Sequence, residues 1–121
     1  MARALLAGGK NVALNGSGIA ANATYAALHT ALPDASWANE VTGGSPAYAR
    51  KAITWAAAAG GSMALAATFP TFDVPAGTTV AYVSFGTAVT SGSCLGYWDV
   101  TDELYAGQGV YTLSAALTVS M

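Results

Sequence analysis

Residues 72–89 read FDVPAGTTVAYVSFGTAV and contain the clearest strand pattern of the chain. A Pro-Ala-Gly turn at residues 75–77 precedes a run, Thr78 to Phe85, that is rich in the β-branched and aromatic residues typical of strands. The run alternates between two faces, one formed by Val80, Tyr82 and Ser84 and the other by Ala81, Val83 and Phe85. Alternation with a period of two predicts a β-strand after the turn.

Similar runs lie on both sides of this strand and are separated by Gly, Pro and Asn turns. They are ATYAALHTA (23–31), AYARKAITW (47–55), SMALAATF (62–69), SCLGYWDV (93–100) and GVYTLSAALTVSM (109–121). Residues 2–15 have helical character that the Gly8-Gly9 pair weakens. The pattern predicts a single mainly β domain over residues 1–121, an antiparallel β-sandwich or small barrel with a short N-terminal helix.

The surface of this chain is unusually poor in charge. Only 8% of the residues are charged, against about 25% in an average soluble domain. Hydrophobic residues reach 54%, but 28 alanines and 14 glycines make much of that apolarity small. Two interpretations stay open: an Ala-rich protein from a GC-rich genome, or a subunit docked against copies of itself or other proteins. Nucleic acid is disfavoured, because Arg50-Lys51 is the only cluster of bases.

Catalytic and metal-binding patterns are weak. Cys94 lies in Gly-Ser-Cys-Leu-Gly, a thiol version of the nucleophile elbow, and His29 is the only histidine that could act as its base. A buried cysteine in a strand is the more common case, and a single cysteine excludes an intramolecular disulfide. The acidic run Asp99, Asp102 and Glu103 lacks calcium-loop spacing and favours a solvated turn. We therefore expect no enzymatic activity, no metal and no cofactor.

Three further features allow alternatives. Trp37, Trp55 and Trp98 could line a sugar-binding groove, although packing in a core or an interface is the usual role of tryptophan. The uncharged stretch 52–72 is long enough to cross a membrane, but Gly60-Gly61-Ser62 and Thr-Phe-Pro-Thr interrupt it, and no membrane span is expected. The uncharged C-terminal run 110–121 is predicted to pair in a sheet or to pack against another subunit.

The stretch NEVTGGSPAYARKAITW, residues 39–55, contains the Arg50-Lys51 pair. Across its Gly-Gly-Ser-Pro turn, Glu40 and Arg50 are close enough to form an ion pair that fixes the register of the loop and the strand. The alternative is an exposed pair that contributes little stability. The residues predicted to contribute to an interface are Glu40, Tyr48, Arg50, Lys51, Trp37, Trp55 and Trp98.

Several motifs resemble a known family. LHTALPDASWANEVTGGSPAYARKAITWAAAAGGSM (28–63), FDVPAGTTVAYVSF (72–85) and GYWDVTDE (96–103) are similar to a pattern in small virion proteins of tailed bacteriophages. Such proteins are usually called minor tail or tail-fibre proteins. The resemblance covers about residues 25 to 105, and its motifs are signatures of a family rather than of a reaction.

The resemblance implies a structural subunit of a phage particle, made in the host cytoplasm and located in the virion. The expected role is a minor tail or tail-fibre-like protein that assembles with other virion proteins. A capsid decoration protein and a host-glycan-binding module are the alternatives. By analogy with the family and from the low charge, we expect a homo-oligomer, with a trimer favoured.

Overall fold

The computed structural model describes residues 3–5, 22–56, 62–66, 69–113 and 117–120. Nine β-strands lie in this part of the chain. In chain order the strands are β1 (Arg3–Leu5), β2 (Tyr25–His29), β3 (Lys51–Ala52), β4 (Ser62–Ala64), β5 (Thr71–Val74), β6 (Thr78–Gly86), β7 (Cys94–Tyr105), β8 (Gly109–Thr112) and β9 (Thr118–Ser120). The prediction of a mainly β protein is confirmed.

The strands form one large sheet and two small ones. The large sheet has the order β1-β7-β6-β2-β3, and the small sheets are the pairs β4-β9 and β5-β8. All of these pairs are antiparallel. A single cluster of buried side chains joins the three sheets, because it contains Trp98 of β7, Phe72 of β5 and Leu117 beside β9.

The strand predicted at Thr78–Phe85 is the centre of the large sheet, but its faces differ from the predicted ones. Val80 lies opposite Glu103 and Tyr82 lies opposite Asp99, so a single residue of β6 faces three residues of β7. This β-bulge shifts the alternation by one residue. As a result, Val80 joins Val83 and Phe85 in the core, whereas strict alternation would place it with Tyr82 and Ser84.

The second half of β6 is covered on both faces. One face packs into the core, and beyond the other lies a smaller cluster of Ala27, Trp37 and Cys94. Ser84, on the same side as this cluster, is also fully buried. Burial on both faces explains why the sequence of β6 contains so few strongly polar side chains.

Other predicted segments differ in extent. Within 47–55 only Lys51–Ala52 is a strand, because residues 43–48 close their own turn through the Gly44–Ala47 bridge and a Tyr48 N–H to Gly43 O hydrogen bond of 2.8 Å. The run 109–121 contains two strands, β8 and β9, instead of one. The acidic run predicted as a turn lies within β7 instead.

The predicted N-terminal helix is not confirmed. Arg3–Leu5 at its start is a strand that pairs with β7, and the rest of that segment lies outside the described residues. In the apolar stretch 52–72, residues 62–64 form β4. A search of the described residues for a helix long and apolar enough to cross a membrane finds none.

Candidate functional site

The loop after β2 is shaped by Asp34. Its carboxylate oxygen Oδ1 accepts hydrogen bonds from the Ser36 and Ala38 backbone N–H groups at 2.8 and 3.2 Å, the pattern of an Asx turn. The backbone carbonyl of Asp34 also accepts a bond from the Trp37 N–H at 3.0 Å. Trp37 adopts a left-handed φ of 64°, which is uncommon for a bulky residue and persists only where the surroundings enforce it. The turn therefore fixes the Trp37 ring in place.

Glu40 and Arg50 form the ion pair that the sequence predicted. Arg50 Nε donates to Glu40 Oε2 and Arg50 Nη2 donates to Glu40 Oε1, each at 2.9 Å. The side chains are only 9% exposed for Arg50 and 18% exposed for Glu40. The pair is thus bidentate and largely buried, which excludes the alternative of an exposed pair that contributes little.

Arg50 makes three further contacts. Its Nη1 donates to the backbone carbonyls of Ala88 and Ser91 at 3.1 and 2.9 Å. Its guanidinium carbon lies 3.6 Å from the centre of the Trp37 ring, within cation–π distance. One side chain therefore links the loop that contains Trp37 and Glu40 to the β6–β7 connection. We call this set of contacts the Arg50 node.

Tyr48 completes the environment of the Glu40 carboxylate. Its hydroxyl donates to Glu40 Oε2 at 2.8 Å and accepts a bond from the Leu28 backbone N–H at 3.0 Å. Burial raises the pKa of the Tyr48 hydroxyl far above its usual range, so it stays protonated and keeps donating. The ring packs over Phe72 with 6.3 Å between ring centres. Since Glu40 accepts bonds from both Tyr48 and Arg50, its arrangement is that of a structural carboxylate and not of a free catalytic base.

An open groove of about 360 Å³ lies beside the Arg50 node. Its lining combines Glu40, Tyr48 and Arg50 with residues 41–43, Ala49 and residues 89–91. Val89, on its rim, is 46% exposed. Lys51, the residue after Arg50, lies on the edge strand β3 and is half-buried. The structure therefore brings four of the predicted interface residues, Glu40, Tyr48, Arg50 and Lys51, to one region of the molecule.

The three tryptophans occupy interior positions. Trp98 is fully buried and donates from Nε1 to Thr118 O at 2.8 Å, and Trp37 is 5% exposed. Trp55 is half-buried, donates to Ala23 O at 2.8 Å, and packs against Phe85 and Trp98. A glycan stacks on an open aromatic face, and Trp37 and Trp98 offer none in this chain.

Cys94 and His29 do not form a catalytic pair. His29 is fully buried, with Nδ1 at 2.9 Å from Ala38 O and Nε2 at 2.7 Å from Ser84 Oγ, so both ring nitrogens already have partners. Nδ1 must carry the proton that bonds the carbonyl, and Nε2 then accepts from the Ser84 hydroxyl. Burial lowers the pKa of His29 and raises the pKa of Cys94 to about 11. A protonated thiol that is 1% exposed is a poor nucleophile.

The acidic residues of β7 do not converge. Among the described residues, no group of three or more His, Cys, Asp or Glu side chains could hold a metal ion. Glu103 instead accepts a hydrogen bond from the Tyr105 hydroxyl at 2.8 Å.

Sequence reasoning missed the contacts that Arg50 makes with backbone carbonyls and the role of Ser84 beside His29. Backbone carbonyls carry no signature in a sequence, and the loop between β6 and β7 had to be placed before Ala88 and Ser91 could be recognised as acceptors. The small polar residue in the apolar run of β6 was the one available signal for Ser84, because a buried hydroxyl needs a partner.

A model of the family described as "Podophage GP4 fiber I protein gp80" matches residues 9–120 of the chain. Neither the curated proteins nor the solved structures contain a match.

Proposed function

This chain belongs to the podophage fibre I protein family, a family of structural virion components, and from this we propose that it is a minor tail or tail-fibre-like subunit that assembles with other virion proteins. The observation that carries the proposal is the family match, which spans nearly the whole chain. The low charge and the largely antiparallel β architecture are consistent with a protein that works through contacts with neighbours.

The contact surface that we propose surrounds the Arg50 node. Loop residues 42–47 are exposed, and Glu40, Tyr48 and Arg50 hold this segment against β2 and the β6–β7 connection. A loop fixed by buried contacts loses little conformational freedom when a partner binds, which favours affinity. Lys51 lies on the adjacent edge strand. Trp37 supports this surface from the interior through its contact with Arg50, whereas Trp55 and Trp98 pack on each other and on Phe85.

We also propose that the protein has no enzymatic activity and needs no cofactor, because Cys94 and His29 are buried and already paired with other groups. For the fold, a sandwich agrees with the single core that the large sheet shares with the two small sheets. We further propose that the protein is made in the host cytoplasm and that its copies associate, with a trimer favoured. Capsid decoration is the alternative role within the particle.

The test is the position of the protein in purified particles. We expect antibodies against it, viewed by electron microscopy after gold labelling, to bind the tail or its fibres. Label on the head would support capsid decoration instead, and absence from purified particles would contradict a structural role. A glycan array tests the remaining alternative: binding that Trp55→Ala abolishes in a folded protein would favour a host-glycan-binding module.

A further inference from the structure

The second half of β7 has one edge that no other described strand covers. β1 pairs with Gly96–Trp98 of β7, and in the described part of the chain no strand lies beside Thr101–Tyr105 on that side. β8 likewise pairs only with β5 among the described strands. An open groove of about 570 Å³ lies between these two edges, lined by residues 100–103, residues 110–113 and Leu117. Unpaired strand edges present N–H and C=O groups that another strand can bond.

The chemistry of this groove suits a protein strand. Leu113 and Leu117 on its wall belong to the hydrophobic core. Leu104 and Val110, on the two flanking strands, are 68% and 57% exposed, although large apolar side chains are usually buried. Strand addition uses main-chain bonds for affinity and alternate side chains for specificity, and this groove offers both.

Charge and sheet geometry point to the occupant. β3 is the opposite edge of the same sheet and pairs only with β2 among the described strands. Its Lys51 lies opposite Ala26, a core residue, so Lys51 is on the core side of the sheet. Glu103 at the β7 edge lies opposite Val80, also a core residue, and is on the same side. Lys51 makes no ion pair with another described residue, whereas Asp102 and Glu103 give the groove an acidic rim.

We propose that this groove binds a second copy of the chain, whose short β3 edge pairs with the free edge of β7 at Glu103 and places its Lys51 against that residue. The inference rests on the proposed structural role and specifies the surface through which copies associate. The two edges differ, so the contact is head-to-tail and produces a closed ring or an open filament. The bulge in which residues 100–102 of β7 face Ala81 of β6 lies in this edge strand, and bulges are common at sheet edges and where strand pairing ends.

The test uses Lys51→Glu and Glu103→Lys with the full chain, and measures molar mass by light scattering over a range of protein concentrations. We expect the wild type to associate and each variant alone to show a dissociation constant at least about tenfold higher, because like charges then meet at the contact. An equimolar mixture of the two variants should restore association. In a filament or an even-membered ring the variants can alternate, so every contact again joins a base to an acid, and in a mixed trimer two of the three contacts do so. Asp102→Lys replaces Glu103→Lys if circular dichroism shows that loss of the Tyr105 contact unfolds the latter.

Recovery of association in the mixture would support the proposal. Wild-type association that persists in both folded variants would overturn this surface and leave association through another one. A wild-type monomer at high concentration would overturn the inference outright. Neither result affects the proposed virion role, which the labelling of purified particles tests separately.

Discussion

At the scale of single residues, Arg50 has the widest reach. It bonds the Glu40 carboxylate twice, bonds the carbonyls of Ala88 and Ser91, and stacks on Trp37. These groups lie in two loops that are distant in sequence and that share no strand pairing. A planar guanidinium can make all of these contacts at once, whereas an ammonium group presents one point charge.

We therefore predict that Arg50→Lys lowers the free energy of unfolding by about 2 kcal/mol, although the charge is retained. Urea denaturation at low protein concentration measures the change. Lys51→Gln is the matched control on the neighbouring residue and should stay within about 0.5 kcal/mol of the wild type. Equal effects of the two substitutions would show that the Arg50 node does not hold the loops together.

His29 makes the stability of the protein depend on pH. Burial lowers the pKa of His29 in the folded state. The hydrogen bond to Ala38 O and the charges of Glu40 and Asp34 oppose this effect, and the charge of Arg50 adds to it. The unfolded chain titrates near the ordinary value of about 6.5, so below that pH it binds a proton that the folded chain does not. The contribution of neutral His29 is therefore present above pH 6.5 and decreases as the pH falls toward the folded-state pKa.

The free energy of unfolding should therefore decrease as the pH falls below 6.5. Denaturant titrations at a series of pH values measure it. His29→Gln cannot titrate and should remove this part of the pH dependence. An equally steep loss in the variant would assign the effect to other groups.

At the scale of elements, the end of β6 packs closely against the loop after β2 because the residue at this contact, Gly86, has no side chain. Gly86 lies opposite Tyr25 of β2 and Cys94 of β7. A Cβ atom on Gly86 would lie 2.4 Å from the Trp37 ring and 2.4 Å from Ser93 O. The close approach of the loop to the sheet thus requires glycine at this position.

Gly86→Ala should lower the free energy of unfolding by about 1–3 kcal/mol, the usual range for an overpacked core. Gly107→Ala is the matched control, because a Cβ there meets nothing within 4 Å. Thermal or urea unfolding of the two variants measures the difference. If Gly86→Ala were as stable as Gly107→Ala, the packing of Trp37 on β6 would be looser than described.

The elements that could be predicted from the sequence are those with strong local signals. β6 and β7 follow from β-branched and aromatic runs bounded by glycine turns, and both form where expected, although β7 continues through the acidic run that was predicted to form a turn. The segment 47–55 has the same alternation but forms only a two-residue strand, because Gly43 and Gly44 close a separate turn and the Arg50 side chain is used across loops. The alternation of residues along a segment does not show which of its hydrogen-bond donors are already bonded to groups outside the predicted strand.

The candidate site was predictable only in part. The Glu40–Arg50 pair follows from opposite charges on either side of a turn, and it forms. The position of Trp37 under Arg50 depends on the left-handed backbone of a loop and on the absence of a side chain at Gly86. Both are properties of the folded arrangement of distant segments, so no pattern of neighbouring residues indicates them.

For the whole molecule, the described interior contains polar as well as apolar side chains, and the buried polar groups are hydrogen-bonded. Every buried side-chain nitrogen or oxygen among the described residues has a hydrogen-bond partner. Buried polar groups that are all paired specify one arrangement of the core. The thiol of Cys94 belongs to this interior and contacts Gly96 O at 3.6 Å.

We predict that Cys94 reports global unfolding. With a pKa of about 11 and 1% exposure, it should react with iodoacetamide at pH 8 at least about a hundredfold more slowly in the native protein than in denaturant. Mass spectrometry counts the labelled fraction over time, and labelling in urea gives the reference rate. Similar rates in both conditions would mean that the region around Cys94 opens locally.

The pairing of β5 with β8 outside the β6–β7 pair has a consequence for the order of folding. Residues 86 and 94 are partners in the inner pair, and residues 71 and 112 in the outer one. In an open chain, joining β5 to β8 first would close a long loop at a high entropic cost, but the inner hairpin brings these strands together beforehand.

We therefore expect Val83→Ala in β6 mainly to slow folding and Val74→Ala in β5 mainly to speed unfolding. The two substitutions are comparable because both side chains are fully buried and equal in size. Stopped-flow kinetics over a range of denaturant would show this, and the reverse assignment would place the nucleus in the outer pair.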